Sequence, residues 1–384
     1  VYQGTVKNGQ NVVVVKHLEN GKTKEEKAKI GTLQGFQGLS KLDVDSVSAG
    51  DLCAISGLGG IDIGDTICDP DHPEAMDEVT IDEPTISMSF RVNDSPFAGQ
   101  EGEFVTSRQI KNRLDRELEH NVALRVESGR TMDEFIVSGR GLLHLGILLE
   151  TMRREGFELS ISRPRVLFRE IDGVRHEPIE EVTVDVDEEY AGAVVEKLTI
   201  RKGELQAMRP VGGGKSRIVA HAPSRGLIGY HGEFLPDTRG AGVMSRIFHS
   251  WAPHKGSIPG RRHGVLISME QGQSVAFALW NLEARGKMFI GSGEAVYEGM
   301  IIGENARPGD LIVNPLKGKK LSNVRASGKD EAVVLTTPIR MSLEEAIAYL
   351  GDDELLEVTP NNLRLRKRLL NPHDRKRESR SAGE

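Results

Sequence analysis

Between residues 82 and 166 the spacing of apolar residues alternates between two periods, and that order leaves few folds open. Ile86, Met88, Phe90 and Val92 recur every second residue, the mark of a strand with one buried face. Ile110, Leu114 and Leu118 recur every fourth, behind Thr106 or Ser107 as an N-cap. Val122, Leu124 and Val126 return to period two, and residues 135–137 add a further strand. Leu145, Leu148, Leu149 and Met152 follow i, i+3, i+4, i+7, with Gly156 at the expected C-cap, and Phe157, Leu159 and Ile161 close the unit. The order βαββαβ is that of the ferredoxin-like split unit.

Residues 167–262 repeat the element order without repeating the residues. Ile179, Val182, Val184 and Val186 form a strand. A helix after Asp187 carries Tyr190, Val194 and Leu198 and stops at Gly203. Strands follow at 204–208 and 217–222, then a helix from Ser224 and a last strand at 243–248. Residues 1–81 differ: a β-branched run at 12–15 and short apolar stretches between regular turn signals predict a small β-barrel. Residues 263–384 form a fourth, β-rich module with strands at 265–268, 276–279, 333–335 and 355–358. Ser342 and Glu345 make a capping box for a helix with Leu343, Ala346, Ile347 and Leu350 on one face. The expected fold is therefore α+β and multidomain, with an apolar content of 38% sufficient for real cores.

No run approaches the ~18 apolar residues of a membrane span. With two cysteines only, Cys53 and Cys68, a disulfide scaffold is excluded and a reducing cytosol is the natural compartment. The chain opens at Val1-Tyr2 with no initiator Met and no signal peptide, so it is expected to begin inside a longer protein.

The net charge of −7 hides an asymmetry. Twelve acids and no Lys or Arg fall between Asp43 and Glu83. Lys317, Lys319, Lys320, Arg325 and Lys329 lie in a Gly-, Pro- and Asn-rich segment without one acid between Leu311 and Lys329. Arg364, Arg366, Lys367 and Arg368 open a second basic stretch that runs to Arg380. Either stretch can be a solvated surface or a polyanion site. Neither contains an aromatic residue, so phosphates and folded RNA shape are the expected targets, not stacked bases.

Catalytic patterns fail on inspection. Gly212-Gly213-Gly214-Lys215-Ser216 invites a phosphate-loop reading, but Arg209 stands where the template needs Gly and residues 217–222 alternate like a strand. A glycine-rich hairpin is the better account. His249, His254 and His263 are spaced too loosely, with no nearby Cys, to predict a metal site. No catalytic residue is assigned.

Several stretches resemble a known family. Glu83-Pro-Thr-Ile-Ser-Met-Ser-Phe90, the helix at 105–120 and Ser138-Gly-Arg-Gly-Leu-Leu-His-Leu145 resemble the third domain of elongation-factor-G-like translational GTPases. Ala222-Pro-Ser-Arg-Gly-Leu-Ile-Gly-Tyr230 and Asp237-Thr-Arg-Gly-Ala-Gly-Val243 resemble a later ferredoxin-like domain of that group. Val296-Tyr-Glu-Gly-Met-Ile-Ile-Gly303, Gly318-Lys-Lys-Leu-Ser-Asn-Val-Arg-Ala-Ser-Gly328 and Pro338-Ile-Arg-Met341 narrow the resemblance to the BipA/TypA family. One departure is Leu142, where the family commonly has Glu.

The resemblance implies a body that docks on the bacterial ribosome, on 50S and 70S particles. It implies rRNA contacts and a last domain reaching the acceptor end of the A-site tRNA. It further implies a monomer in the cytoplasm, with roles in large-subunit assembly and in growth under cold and other stress, and no membrane or DNA partner. The GTP- and Mg-binding domain is expected before Val1, which leaves this chain without a cofactor and without GTPase activity. The alternatives are the equivalent part of another ribosomal GTPase, such as elongation factor 4, or an RNA-binding scaffold outside the GTPases.

Overall fold

Val12, Val13, Val14 and Val15 are all buried in the strand Asn11–His17, which pairs with Thr23–Lys29 on one side and Thr66–Cys68 on the other. A second sheet orders Ser40–Asp43, Thr32–Gln37 and Cys53–Ser56, and Thr5–Lys7 pairs with Ser46–Ser48. Val12, Ile30, Leu33 and Val47 form the main core of these antiparallel strands, and Val13, Val15 and Cys68 a smaller one. Cys53 and Cys68 carry free thiols. In this computed structural model, residues 1–18, 22–61, 63–77, 83–318 and 334–381 are described. The chain divides into two units, Val1–Asp82 and Glu83–Glu384.

The second unit begins with the predicted alternation. Strand β1 (Ile86–Arg91), helix α1 (Ser107–Leu118), β2 (Arg125–Ser128), β3 (Glu134–Gly139), α2 (Leu142–Arg154) and β4 (Leu159–Ser162) follow in order. The antiparallel sheet runs β2-β3-β1-β4, as the split unit requires. Thr106 caps α1: its side chain accepts from the Gln109 backbone, and the Gln109 side chain accepts from the Thr106 backbone. Leu142 is 4% exposed at the start of α2, so the departure from the family's Glu sits inside the core, where an apolar side chain belongs.

A second unit of the same order follows: β5 (Val174–Asp187), α3 (Glu188–Ile200), β6 (Glu204–Gly212), β7 (Lys215–Pro223), α4 (Tyr230–Asp237) and β8 (Val243–Pro253), with sheet order β6-β7-β5-β8. Val182, Val184 and Val186 pack with Ile218 and Ala220 against the helices. Glu181, Thr183 and Asp185 therefore point to the other face. Gly212, Gly213 and Gly214 all have positive φ, at 86°, 63° and 72°, and turn β6 into β7. The segment is the hairpin expected in place of a phosphate loop.

The C-terminal part departs from expectation. Strands β9 (Val265–Ser268), β10 (Gly286–Met288), β11 (Ile301–Asn305) and β12 (Leu311–Val313) form a sheet of order β10-β11-β9-β12. Ala276–Glu283 is helix α5, not the expected strand: a short apolar run does not distinguish the two, and the small Ala276 and Ala278 suit a helix. Of the strand expected at 333–335, Val333 lies outside the described residues, and Val334 and Leu335 have no regular structure. Helix α6 (Leu343–Tyr349) carries the predicted capping box. The hairpin β13 (Glu354–Val358) and β14 (Leu363–Lys367) is not a strand pair of the C-terminal sheet, which it touches through one bridge between Met300 and Arg366. It adds to β4, extending the first ferredoxin-like sheet to β2-β3-β1-β4-β13-β14. Helix α7 (Pro372–Ser381) ends the described chain. Among the described residues no helix is long and apolar enough to cross a membrane.

Candidate nucleic-acid interface

The first four cations of the second basic stretch face carboxylates of the protein itself. Arg364, Arg366 and Lys367 lie on β14, and each is neutralised inside the protein. Arg364 pairs with Glu101 and lies 3.4 Å from Glu357. Arg366, 1% exposed, pairs with Asp94 and lies 3.9 Å from Glu357. Lys367, 2% exposed, reaches Asp310 at 2.6 Å, Asp353 at 2.9 Å and Glu354 at 3.0 Å. Arg368 is exposed but paired with Glu378 at 2.6 Å. The structure lends the expectation that these four bind RNA no free charge: their charge is already matched by carboxylates, and three are withdrawn from solvent. The cue was present as Leu363-Arg364-Leu365-Arg366, a period-two pattern that marks a strand and not a frayed tail.

Two of the acids that receive these cations, Asp94 and Glu101, sit on one loop. Glu158, fully buried, accepts from the Asn93 side chain at 2.9 Å and from the backbone of Gly99 at 2.8 Å and Gly102 at 2.9 Å. Holding residues 93–102 in this way presents Asp94 and Glu101 to β14. Phe97 of the same loop lies 5.3 Å from the Arg364 guanidinium and packs edge-on against Tyr297. The Tyr297 hydroxyl donates to Glu357. Burial, together with that carboxylate, pushes the Tyr297 hydroxyl well above its ordinary pKa. For Glu354, burial acts to raise the pKa, but hydrogen bonds and charge from Arg261, with the charge of Lys367, outweigh it and hold the carboxyl below its usual range. Lys367 is displaced upward for the matching reason: burial opposes its charge, and Glu354, Asp310 and Asp353 more than compensate.

The first basic stretch begins after β12. Lys317 is exposed, and Lys319, Lys320, Arg325 and Lys329 lie outside the described residues. Its two described flanks are fastened at opposite ends of α5. Pro315 accepts from the Val275 backbone at 3.0 Å, and Thr336 donates to Glu283 through its backbone at 2.7 Å and its hydroxyl at 2.6 Å. An eight-residue helix is about 12 Å long, so both flanks sit on one short element.

Two features of this region escaped the sequence reading. Trp280 on α5 is 52% exposed and offers a stacking surface on the helix to which the described flanks of the segment are fastened. The carbonyl of Arg285, at the end of α5, accepts from the Ala306 backbone at 2.7 Å, and that of Arg307 accepts from Gly264 at 3.1 Å. These bonds gather Arg262, Arg285 and Arg307 at one end of the sheet, all exposed. Among the described residues none of the three, nor Lys317, has an ion-pair partner. Residues scattered over 45 positions of sequence gave no local charge run to detect.

The three loosely spaced histidines do not meet. His254 packs on Phe168, His263 lies 3.5 Å from Glu304, and His249 stands against His221.

Three stretches of the chain match known family models. Residues 1–68 match elongation factor Tu domain 2, residues 174–262 the elongation factor G C-terminus, and residues 263–372 the TypA/BipA C-terminal domain. The large ribosomal subunit assembly factor BipA of Escherichia coli strain K12 is 53% identical over 382 residues, covering 99% of this chain and 62% of its own length. That of Salmonella typhimurium is 52% identical over 385 residues, covering 100% of this chain and 63% of its own, and that of Bacillus subtilis 46% over 381, covering 99% and 62%. The chain thus spans a little over three-fifths of the length of the curated relatives it matches. Identity sustained across every module, with a C-terminal domain particular to one family, means that the chain belongs to the TypA/BipA family.

Proposed function

We propose that this chain docks on the bacterial large ribosomal subunit and serves its assembly, with the C-terminal sheet and α5 as the RNA-contacting surface. The observation that carries this reading is the identity of 53% over 99% of the chain to a protein described as a large ribosomal subunit assembly factor. Arg262, Arg285 and Arg307, which have no ion-pair partner among the described residues, and the exposed Trp280 supply the chemistry that such docking needs, cations for phosphate and a ring for an unstacked base. The acceptor end of an A-site tRNA is the single-stranded RNA we assign to that surface, and rRNA the partner of the remaining body. Binding to 70S particles, a cytoplasmic location, a monomeric state and a role under cold and other stress belong to the same reading.

GTP and Mg²⁺ have no place in the proposed role of these residues, since the one glycine-rich candidate, Gly212 to Lys215, is a β-hairpin turn. GTP hydrolysis is assigned to a part of the parent protein outside this chain. Co-sedimentation of the chain with purified 50S subunits over a range of salt tests the proposal. Micromolar or tighter binding that weakens as salt rises is the expected result, and no binding at low salt refutes it.

A further inference from the structure

On the open face of the second ferredoxin-like sheet, opposite α3 and α4, three side chains with metal-ligating atoms converge. Glu181 on β5 stands directly across from His221 on β7 in the strand register. His249 arrives from β8 at an irregularity in the ladder: Ile179 pairs with Ser250 and Glu180 with Phe248, which leaves His249 as the extra residue. A bulge of this kind re-aims a side chain that regular pairing would place elsewhere. One ligand atom from each of the three lies within 4.8 Å of the others. His221 Nε2 is 3.5 Å from Glu181 Oε2, and the two imidazole centroids are 4.0 Å apart.

The surroundings leave these atoms free to ligate. Nδ1 of His249 is 2.9 Å from the Ser250 hydroxyl, an outer contact that orients the ring and leaves Nε2 as the ligating atom. Glu204, the cross-strand neighbour of His221 on β6, is committed to Lys255 at 2.8 Å. The cluster therefore offers two imidazoles and one carboxylate on three strands of fixed register, with its fourth side toward solvent. Two nitrogens and one oxygen around a tetrahedral position suit a borderline dication, with water as the fourth ligand. A cation there would also replace the weak 3.5 Å contact between His221 and Glu181 with two coordinate bonds.

We propose that Glu181, His221 and His249 form a binding site for a divalent transition-metal ion of the Zn²⁺ type. It is separate from the RNA-contacting surface assigned to the C-terminal sheet.

The test is calorimetric titration of the whole chain with Zn²⁺, repeated with Co²⁺ while visible absorption reports coordination number. Wild type, Glu181→Gln, His221→Ala, His249→Ala and, as a control on α4, His231→Ala are compared, and a thermal melt confirms that each is folded. The expected result is about one equivalent of Zn²⁺ bound by wild type and by His231→Ala. Either cluster histidine variant should lose at least the tenfold in affinity that removal of a mere outer-shell partner costs, together with the intense four-coordinate Co²⁺ spectrum. Absence of Zn²⁺ uptake by wild type overturns the proposal. So does unchanged affinity in folded His221→Ala and His249→Ala, which would assign the uptake to other histidines among the 11 of the chain.

Discussion

Arg366, on the last strand of the chain, donates to Asp94, a residue 272 positions earlier. Asp94 belongs to the loop that Glu158 holds, and Arg366 belongs to the hairpin that extends the first ferredoxin-like sheet. The pair therefore fastens the C-terminal hairpin to a module it is far from in sequence. Removing the guanidinium leaves Glu357, fully buried, without one of its two cationic neighbours. Arg366→Ala should cost about 3 kcal/mol, the scale for breaking a buried ion pair from one side. Urea unfolding of the chain measures it. A variant as stable as wild type would mean that the cation is not structural.

Glu354 and Lys367 give the same hairpin a pH window. Glu354 titrates below its unfolded value, so its contribution is present above the ordinary carboxylate range of about 4.3 and is lost as pH falls through the folded pKa. Lys367 titrates above its unfolded value of about 10.4, so its contribution is complete below that pH and is lost as pH rises through the folded pKa. The contribution of this pair to stability should be constant between these limits. Glu354→Gln should weaken the acid limb, because position 354 then has no carboxyl whose proton binding differs between the folded and unfolded chain. Melting temperature against pH for both proteins decides it, and superimposable acid limbs would count against the assignment.

Which parts of this molecule could be read in advance follows from the range of the interactions involved. The two βαββαβ units were readable because period two and period 3.6 are local, and the capping residues Thr106 and Ser342 lie within three positions of their partners. Residues 276–279 were misread as a strand because an unbroken apolar run carries no period. The fate of Arg364 and Arg366 could not be read from the charge run, because the neutralising Glu101 and Asp94 come from 263 and 272 positions away. The Glu181, His221 and His249 cluster is of the same kind, since strand register and a bulge create it.

Trp280 separates stacking from charge. Its side chain is half exposed on α5, so Trp280→Ala should cost about 1–3 kcal/mol and leave the chain folded. If a base stacks on it, affinity for a single-stranded acceptor-end RNA should fall by the equivalent of about 1–3 kcal/mol, with the salt dependence unchanged. Fluorescence titration at three salt concentrations reads both quantities. Full affinity in the alanine variant would remove stacking from the mechanism.

The cations at the end of the C-terminal sheet should behave in the opposite way. Arg262, Arg285 and Arg307 are exposed and have no ion-pair partner among the described residues, so folding does not depend on their charge. Arg262→Gln, Arg285→Gln and Arg307→Gln combined should leave stability within about 1 kcal/mol, on the scale of surface substitutions. Each phosphate that is no longer neutralised should lower the slope of log affinity against log salt by roughly one. The triple variant should then bind 50S subunits more weakly at low salt and with a slope smaller by up to about three. The same measurement on Lys317→Glu, Lys319→Glu and Lys320→Glu asks whether the basic segment after β12 shares in the RNA contact. An unchanged slope in the arginine triple variant would show that this end of the sheet faces solvent on the ribosome, and would move the RNA contact to the lysine segment or to another face of the chain.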